Sequence, residues 1–282
     1  MPYIHILFNF YQLRIMIKHS FLIALGMMLL PLFAAAAGPD GIDETIKGSK
    51  NFVTKEVSLD NFSKIKAVAN IDVKYVQQEG PAKAVINTSD NVMDYITTSV
   101  ADGVLTVGVK DGVTVQSKKL DVTVYAPSVF ELEVAGSGDI DCTNVTADNF
   151  AVVLSGDGDL NLKRATCKQA FTMTVSGNGD MEIGSVACES FNGLLSGDGD
   201  ARVAKLTGTS VEASVTGSGD MELSGKVRLV NFSLTGTGNL NAGMLQAENG
   251  NANNTGSGSI NSNVYGHLEQ VNRGTGGINN TK

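Results

Sequence analysis

Between residues 136 and 277 the chain writes a Gly-x-Gly turn eight times, mostly followed by Asp, at a nearly fixed interval. Five copies are complete: Gly136-Ser-Gly138-Asp139, Gly156-Asp-Gly158-Asp159, Gly177-Asn-Gly179-Asp180, Gly197-Asp-Gly199-Asp200 and Gly217-Ser-Gly219-Asp220. Three are worn: Gly236-Thr-Gly238-Asn239, Gly256-Ser-Gly258-Ser259 and Gly274-Thr-Gly276-Gly277. The first glycines stand 20, 21, 20, 20, 19, 20 and 18 residues apart. Such a period, held over half a chain, makes each repeat one coil of a solenoid. Residues repeated in this way serve a scaffold more readily than a single catalytic centre.

The repeats also show which residues face inward. Six residues before each first glycine stand Phe130, Phe150, Phe171, Phe191, Val211 and Val230; two before it stand Val134, Leu154, Val175, Leu195, Val215 and Leu234. Four after it come Ile140, Leu160, Met181, Ala201, Met221, Leu240, Ile260 and Ile278, and six after it Cys142, Leu162, Ile183, Val203 and Leu223. Spacing by two marks β-strands with one buried face, two short strands meeting at each glycine turn. Recurrence stacks like upon like, so the ladders form one core that no single coil could bury. Positive φ at a sharp corner is the expected reason for the glycines, and an Asx-type bond to nearby amides the expected reason for the Asp or Asn. After residue 249 the alternation degrades, and Asn254 stands where earlier coils have Val or Leu. A polar last coil ends the stack without an aggregation-prone face.

The repeats are preceded by three other regions. Lys18 and His19, an apolar run over residues 21–33 and then Ala34-Ala35-Ala36-Ala37 read as a secretory signal peptide over residues 1–37. Met16 sits just before this pattern and is a candidate true start. The run is too short to span a bilayer, no later stretch of that character follows, and no cysteine at the cleavage site suggests a lipid anchor. Export from a Gram-negative cell is the expectation. Residues 38–51 read as a flexible start and 52–128 as a strand-rich part of the same domain as the solenoid over 129–282. Short Val-, Ile- and Thr-rich segments at 68–76, 83–87, 104–109 and 120–125 alternate with Gly- and Pro-containing turns, the pattern of β-strands.

Charge and residue inventory narrow the chemistry. Without Arg14 and Lys18 of the leader, 19 basic residues face 29 acidic ones, a net charge of about −10. That balance disfavours nucleic acid and anionic lipid as partners. Three cysteines, Cys142, Cys167 and Cys188, cannot all pair with one another. Cys167 and Cys188 occupy equivalent places in consecutive coils, matched elsewhere by Ala147 and Gly208, so they read as stacked small residues or as a bridge between coils. His267 is the sole histidine after the leader, too little for a histidine metal site and unsupported by any Ser-His-Asp motif. Equivalent aspartates are also the opposite of an acid/base pair, which needs two carboxyls in unlike environments.

Two surface features remain as binding candidates. Stacking places Asp139, Asp159, Asp180, Asp200 and Asp220 in one file at about 5 Å intervals, enriched by Asp157 and Asp198. Such an edge is either a run of solvated turn residues or a calcium site. Just before the first glycines runs a hydroxyl column, Ser155, Ser176, Ser196, Thr216, Thr235 and Thr255, either an ordinary solvated face or a contact surface for a glycan or protein. With no tryptophan and few tyrosines, aromatic sugar platforms are scarce. The Phe ladder is assigned to the core.

With its eight turns in phase and the lead-in Ala126-Pro127-Ser128-Val129-Phe130-Glu131-Leu132-Glu133-Val134, the chain resembles the autotransporter-adhesin head domain, or GIN domain, of secreted Bacteroidetes proteins. The resemblance covers about residues 52–281. It implies an all-β, right-handed parallel β-helix similar to pectin-lyase-like folds, without enzymatic residues or cofactor. It further implies a role in cell adhesion through an unidentified protein or glycan partner, and hints at trimeric assembly. A structural envelope domain and a polysaccharide-active β-helix enzyme are the alternatives.

Overall fold

Among residues 44–281, which the computed structural model describes, strands of successive coils pair in parallel and in register. Phe150 lies beside Phe171, Phe171 beside Phe191, Phe191 beside Val211, and Val211 beside Val230. The chain is therefore a β-solenoid of parallel stacked coils. The leader falls outside the described residues, as does most of the expected flexible start.

The central coils have three sides rather than two strands. Ile140–Leu154 runs as one strand from turn to turn, but its inward alternation resets at two exposed pairs, Thr143-Asn144 and Asp148-Asn149. Each pair marks a corner. Asn144–Ala147 between them pairs with Arg164–Cys167 and forms a third side that the glycine-centred reading missed.

The stack begins earlier than the glycine repeat. Lys64–Ala67 pairs with Glu131–Val134, and Val73 and Tyr75 lie beside Ile140 and Cys142. The turn Ala69-Asn70-Ile71-Asp72 is thus a coil corner without glycine, lying within the single strand expected over 68–76. Val104–Val109 and Leu120–Ala126 add a further layer beyond it. There the pairing becomes antiparallel: Lys83–Ser89 against Leu120–Ala126, Phe52–Ser58 against Lys83–Ser89, and Ile96–Ala101 against Val104–Val109. The N-terminal region both extends the stack and covers its end. Glu44–Lys47, expected within the flexible start, instead forms a strand beside Val113–Gln116.

Inside, the columns are buried as the period requires. Phe150, Phe171 and Phe191 are 2%, 0% and 0% exposed, with ring centroids 6.1 and 5.9 Å apart. Phe130 departs from the column and is 45% exposed. Asn254, expected to begin a polar finish, is instead fully buried; its amide donates to Gly258 O at 2.9 Å and accepts from Gly256 N at 2.9 Å. The polar finish is the next coil, Leu268–Asn272 and Ile278–Asn280, where exposed Gln270 and Asn272 lie beside Ala252 and Asn254, and half-buried Asn280 beside Ser262.

Side-chain amides terminate the third side at both ends. Asn280 accepts from Val264 N at 2.8 Å and donates to Val264 O at 2.9 Å. Gln77 accepts from Thr146 N at 2.7 Å and donates to Thr146 O at 2.9 Å. In each case a carboxamide stands where the peptide group of another coil would pair, which closes the open sheet edge.

The glycines of the corner serve a different purpose from the one expected. Among the described residues the positive-φ glycines are Gly80, Gly103, Gly112 and Gly225, none of them in a Gly-x-Gly turn. A Cβ at Gly177 would overlap Gly156 O, and one at Gly179 would overlap Gly158 O, both closer than 3.0 Å. The constraint is backbone-on-backbone approach between coils. Gly179→Ala is therefore expected to cost more than about 3 kcal/mol or abolish folding, the order of an over-packed core. Gly243→Ala, whose Cβ would meet nothing nearer than 3.8 Å, should melt within a degree or two of the parent. Equal melting of the two variants would refute the stacking account.

Candidate binding surface

The five aspartates do form one file, and each carboxylate has a partner. The Asp159 N–H donates to Asp139 Oδ1 at 2.8 Å, Asp180 N to Asp159 Oδ1 at 2.8 Å, Asp200 N to Asp180 Oδ1 at 2.8 Å, and Asp220 N to Asp200 Oδ1 at 2.7 Å. The chain of bonds starts at Asp72, which accepts from Asp139 N at 3.2 Å, and continues through Asn239 and Ser259 to Gly277 N. The side chain thus ties one coil to the next instead of closing its own turn. Asp72 could have been found from the sequence by its place three residues after Ala69, followed by Val73 and Tyr75 at inward spacing. Among the described residues no three His, Cys, Asp or Glu side chains converge as a metal-ligand group.

Two opposed effects act at each rung. The bond contributes on the order of 1 kcal/mol, and each neighbouring carboxylate repels by about 1 kcal/mol in water. Asp180→Asn and Asp180→Ala remove the same charge, but only Asn keeps the acceptor. Asn should therefore be the more stable of the two by about 1 kcal/mol in urea unfolding. Identical midpoints would show that the ladder bond contributes nothing.

The other candidates divide by exposure. Cys142, Cys167 and Cys188 are free, unbridged thiols, all buried. Burial pushes Cys142 and Cys188 up to about 12 and Cys167 up to about 11. All three should resist thiol reagents at mildly alkaline pH and react together on unfolding, because a thiol held protonated is a poor nucleophile. Rapid labelling of any one in the native protein would contradict this burial. His267 donates its backbone N–H to Asn249 Oδ1, and no serine or carboxylate hydrogen-bonds its ring among the described residues.

The hydroxyl column is exposed, as its phase predicts. Ser155, Ser196 and Thr255 donate back to Val134 O, Val175 O and Leu234 O at 3.3–3.4 Å. With Ser218, Thr237 and Ser257 across a floor of glycine backbone, the column bounds an open trough of about 570 Å³ leading toward Arg273.

A larger groove, about 640 Å³, lies at the step where the third side begins. Phe130 and Phe62 line it together with Thr146, Asp148, Asn149 and Thr172. Phe130 is exposed because the preceding coil offers Ser63, not another ring, at its register; Phe130 N donates to Ser63 O at 2.8 Å. The ammonium of Lys64 sits 5.4 Å from the ring centroid and pairs with Glu131 at 3.1 Å. Asp148 holds Lys168 at 2.7 Å on the rim. Sequence reasoning placed Phe130 in the core because its period matched; only the missing third side of the preceding coil distinguishes it.

Fold and surface together define an all-β solenoid scaffold with an aromatic-lined groove. The chain belongs to the family described as "Putative auto-transporter adhesin, head GIN domain", whose sequence profile matches residues 61–206 and 172–281. A crystal structure of a "putative adhesin" from Parabacteroides merdae ATCC 43184 is similar, with a TM-score of 0.76 and 23% identity over 85% of this chain and 100% of that one. A second "putative adhesin", from Parabacteroides distasonis ATCC 8503, has a TM-score of 0.69 and 22% identity over 84% and 100% of the two chains. A "Putative lipid binding protein" from the same organism has a TM-score of 0.63 and 20% identity over 85% and 100%. At these identities the likeness concerns the fold. A search of the curated proteins finds no match to this sequence. No helix among the described residues is long and apolar enough to cross a membrane.

Proposed function

We propose that this chain is an exported, non-enzymatic interaction module that mediates adhesion at the bacterial envelope. The observation that carries the reading is how its polar groups are spent. The aspartate file, the residues closest to a catalytic or metal-binding array in composition, is committed coil by coil to backbone N–H groups. The groove at Phe130 instead presents a half-exposed ring, an arrangement suited to holding a partner. Family membership agrees with that reading. Calcium remains compatible with the acidic edge as a modulator, since each carboxylate has a second oxygen.

The test is binding of the purified exported chain to mucins, matrix proteins, neutral and acidic glycans and phospholipid vesicles, each with and without EDTA. Saturable binding to one class is the expected result, and its loss in EDTA would assign the acidic edge a calcium-dependent part. Binding to nothing would move the assignment to a structural envelope domain. Turnover of a polysaccharide would move it to an enzyme.

A further inference from the structure

We propose that the groove at Phe130 is a carbohydrate site that receives a pyranose ring of a neutral saccharide. The inference rests on the adhesion reading and gives it a ligand class. Its starting point is the break in the phenylalanine column. Three successive coils bury the ring at this position to 2% exposure or less, whereas Phe130 is 45% exposed and forms a wall of the 640 Å³ groove. That volume lies within the range of small-ligand pockets, about 300–1,000 Å³.

The groove contains both elements that a sugar requires. A phenyl face carries partial negative charge and favours the weakly positive C–H face of a pyranose; Lys64, whose ammonium stands 5.4 Å from the Phe130 centroid, is not among the residues lining the groove. Around it stand residues that can hydrogen-bond hydroxyls: Asp148, its carboxylate exposed, with Thr146 and Thr172 in the lining. The charges nearby are already matched, Lys64 by Glu131 at 3.1 Å and Lys168 by Asp148 at 2.7 Å, so the groove has no unpaired cation among these groups for an acidic sugar. The net charge of −8 over the chain further repels anionic saccharides.

Other occupants fit less well. A peptide docking as an added strand would need the open backbone edge of the third side. Gln77 already bonds both Thr146 N and Thr146 O on that edge, at 2.7 and 2.9 Å, and also donates to Pro127 O at 3.1 Å. An acyl chain gains most from an enclosed apolar channel, whereas this groove is open and carries an ion pair on its rim.

The experiment uses the purified full chain as the cell exports it, applied to immobilised neutral gluco-, manno-, galacto- and xylo-oligosaccharides, to immobilised matrix proteins and to phosphatidylcholine vesicles. Three variants are compared: Phe130→Ala, Asp148→Asn, and Thr235→Ala in the hydroxyl trough. The expected result is saturable binding to a neutral saccharide class, weakened about tenfold or more by Phe130→Ala and by Asp148→Asn but unchanged by Thr235→Ala. Thermal melts accompany each variant; Asp148, on the surface, keeps the test decisive if Phe130→Ala melts early. Saccharide binding that survives both groove variants, or that is lost with Thr235→Ala alone, overturns the groove assignment while leaving the adhesion module standing. Binding to matrix protein or vesicles without any saccharide overturns the ligand class alone. Binding to none of these overturns both readings.

Discussion

The approach of one coil's backbone to the next at the Gly-x-Gly corner governs the rest of the molecule. The corner peptides stack so closely that the position of a side chain is taken by the carbonyl oxygen of the preceding turn. Once the corners are that close, flanking strands must pair in parallel and in register, since any slip would place a bulky residue over a glycine. The register in turn places phenylalanine on phenylalanine and aliphatic on aliphatic, so the core is a consequence of the corner as much as of hydrophobicity. The aspartate file follows from the same closeness. A carboxylate on a turn reaches the next turn's amide only because the turns are stacked, which is why Asn239 and Ser259 can continue the file where Asp is absent.

Much of this was legible in the sequence, for a physical reason. A solenoid converts sequence period directly into spatial neighbourhood, so aligning repeats predicts contacts without an intermediate model of the fold. The buried columns through Leu154, Leu160 and Phe171 followed from spacing alone. Reading failed where a residue's environment depends on a neighbour that breaks the period. Phe130 obeys the repeat on its own coil, but the coil before it supplies Ser63 and no third side. Ala69 and Ile71 stand at a corner without glycine, so the eye that searches for glycine passes over it. Asn254 looked like the end of a core and is an internal plug, because an amide can satisfy the turn from inside when the geometry allows.

The cause assigned to the glycines shows a second limit. Sequence specifies that glycine is required but not which of its properties is used. Conformational freedom and lack of volume predict the same letter, and only coordinates separate them. The same ambiguity held for the aspartates, whose residue type suits a turn, a cation or an inter-coil bond. The candidate groove was the least legible feature, because it is a property of where the periodic pattern stops.

The two carboxamides that close the third side have a consequence for how such a molecule can change. Gln77 and Asn280 act only at the two ends of the third side, and every coil between them is bonded chiefly to its neighbours. Ends and middle are thus independent parts. Duplicating or deleting one twenty-residue unit would lengthen or shorten the solenoid by a single strand spacing, about 4.8 Å, with both of its ends unchanged. The distance over which a tip is held becomes a quantity that can be adjusted in small equal steps by gain or loss of structurally equivalent segments, without redesign of either end.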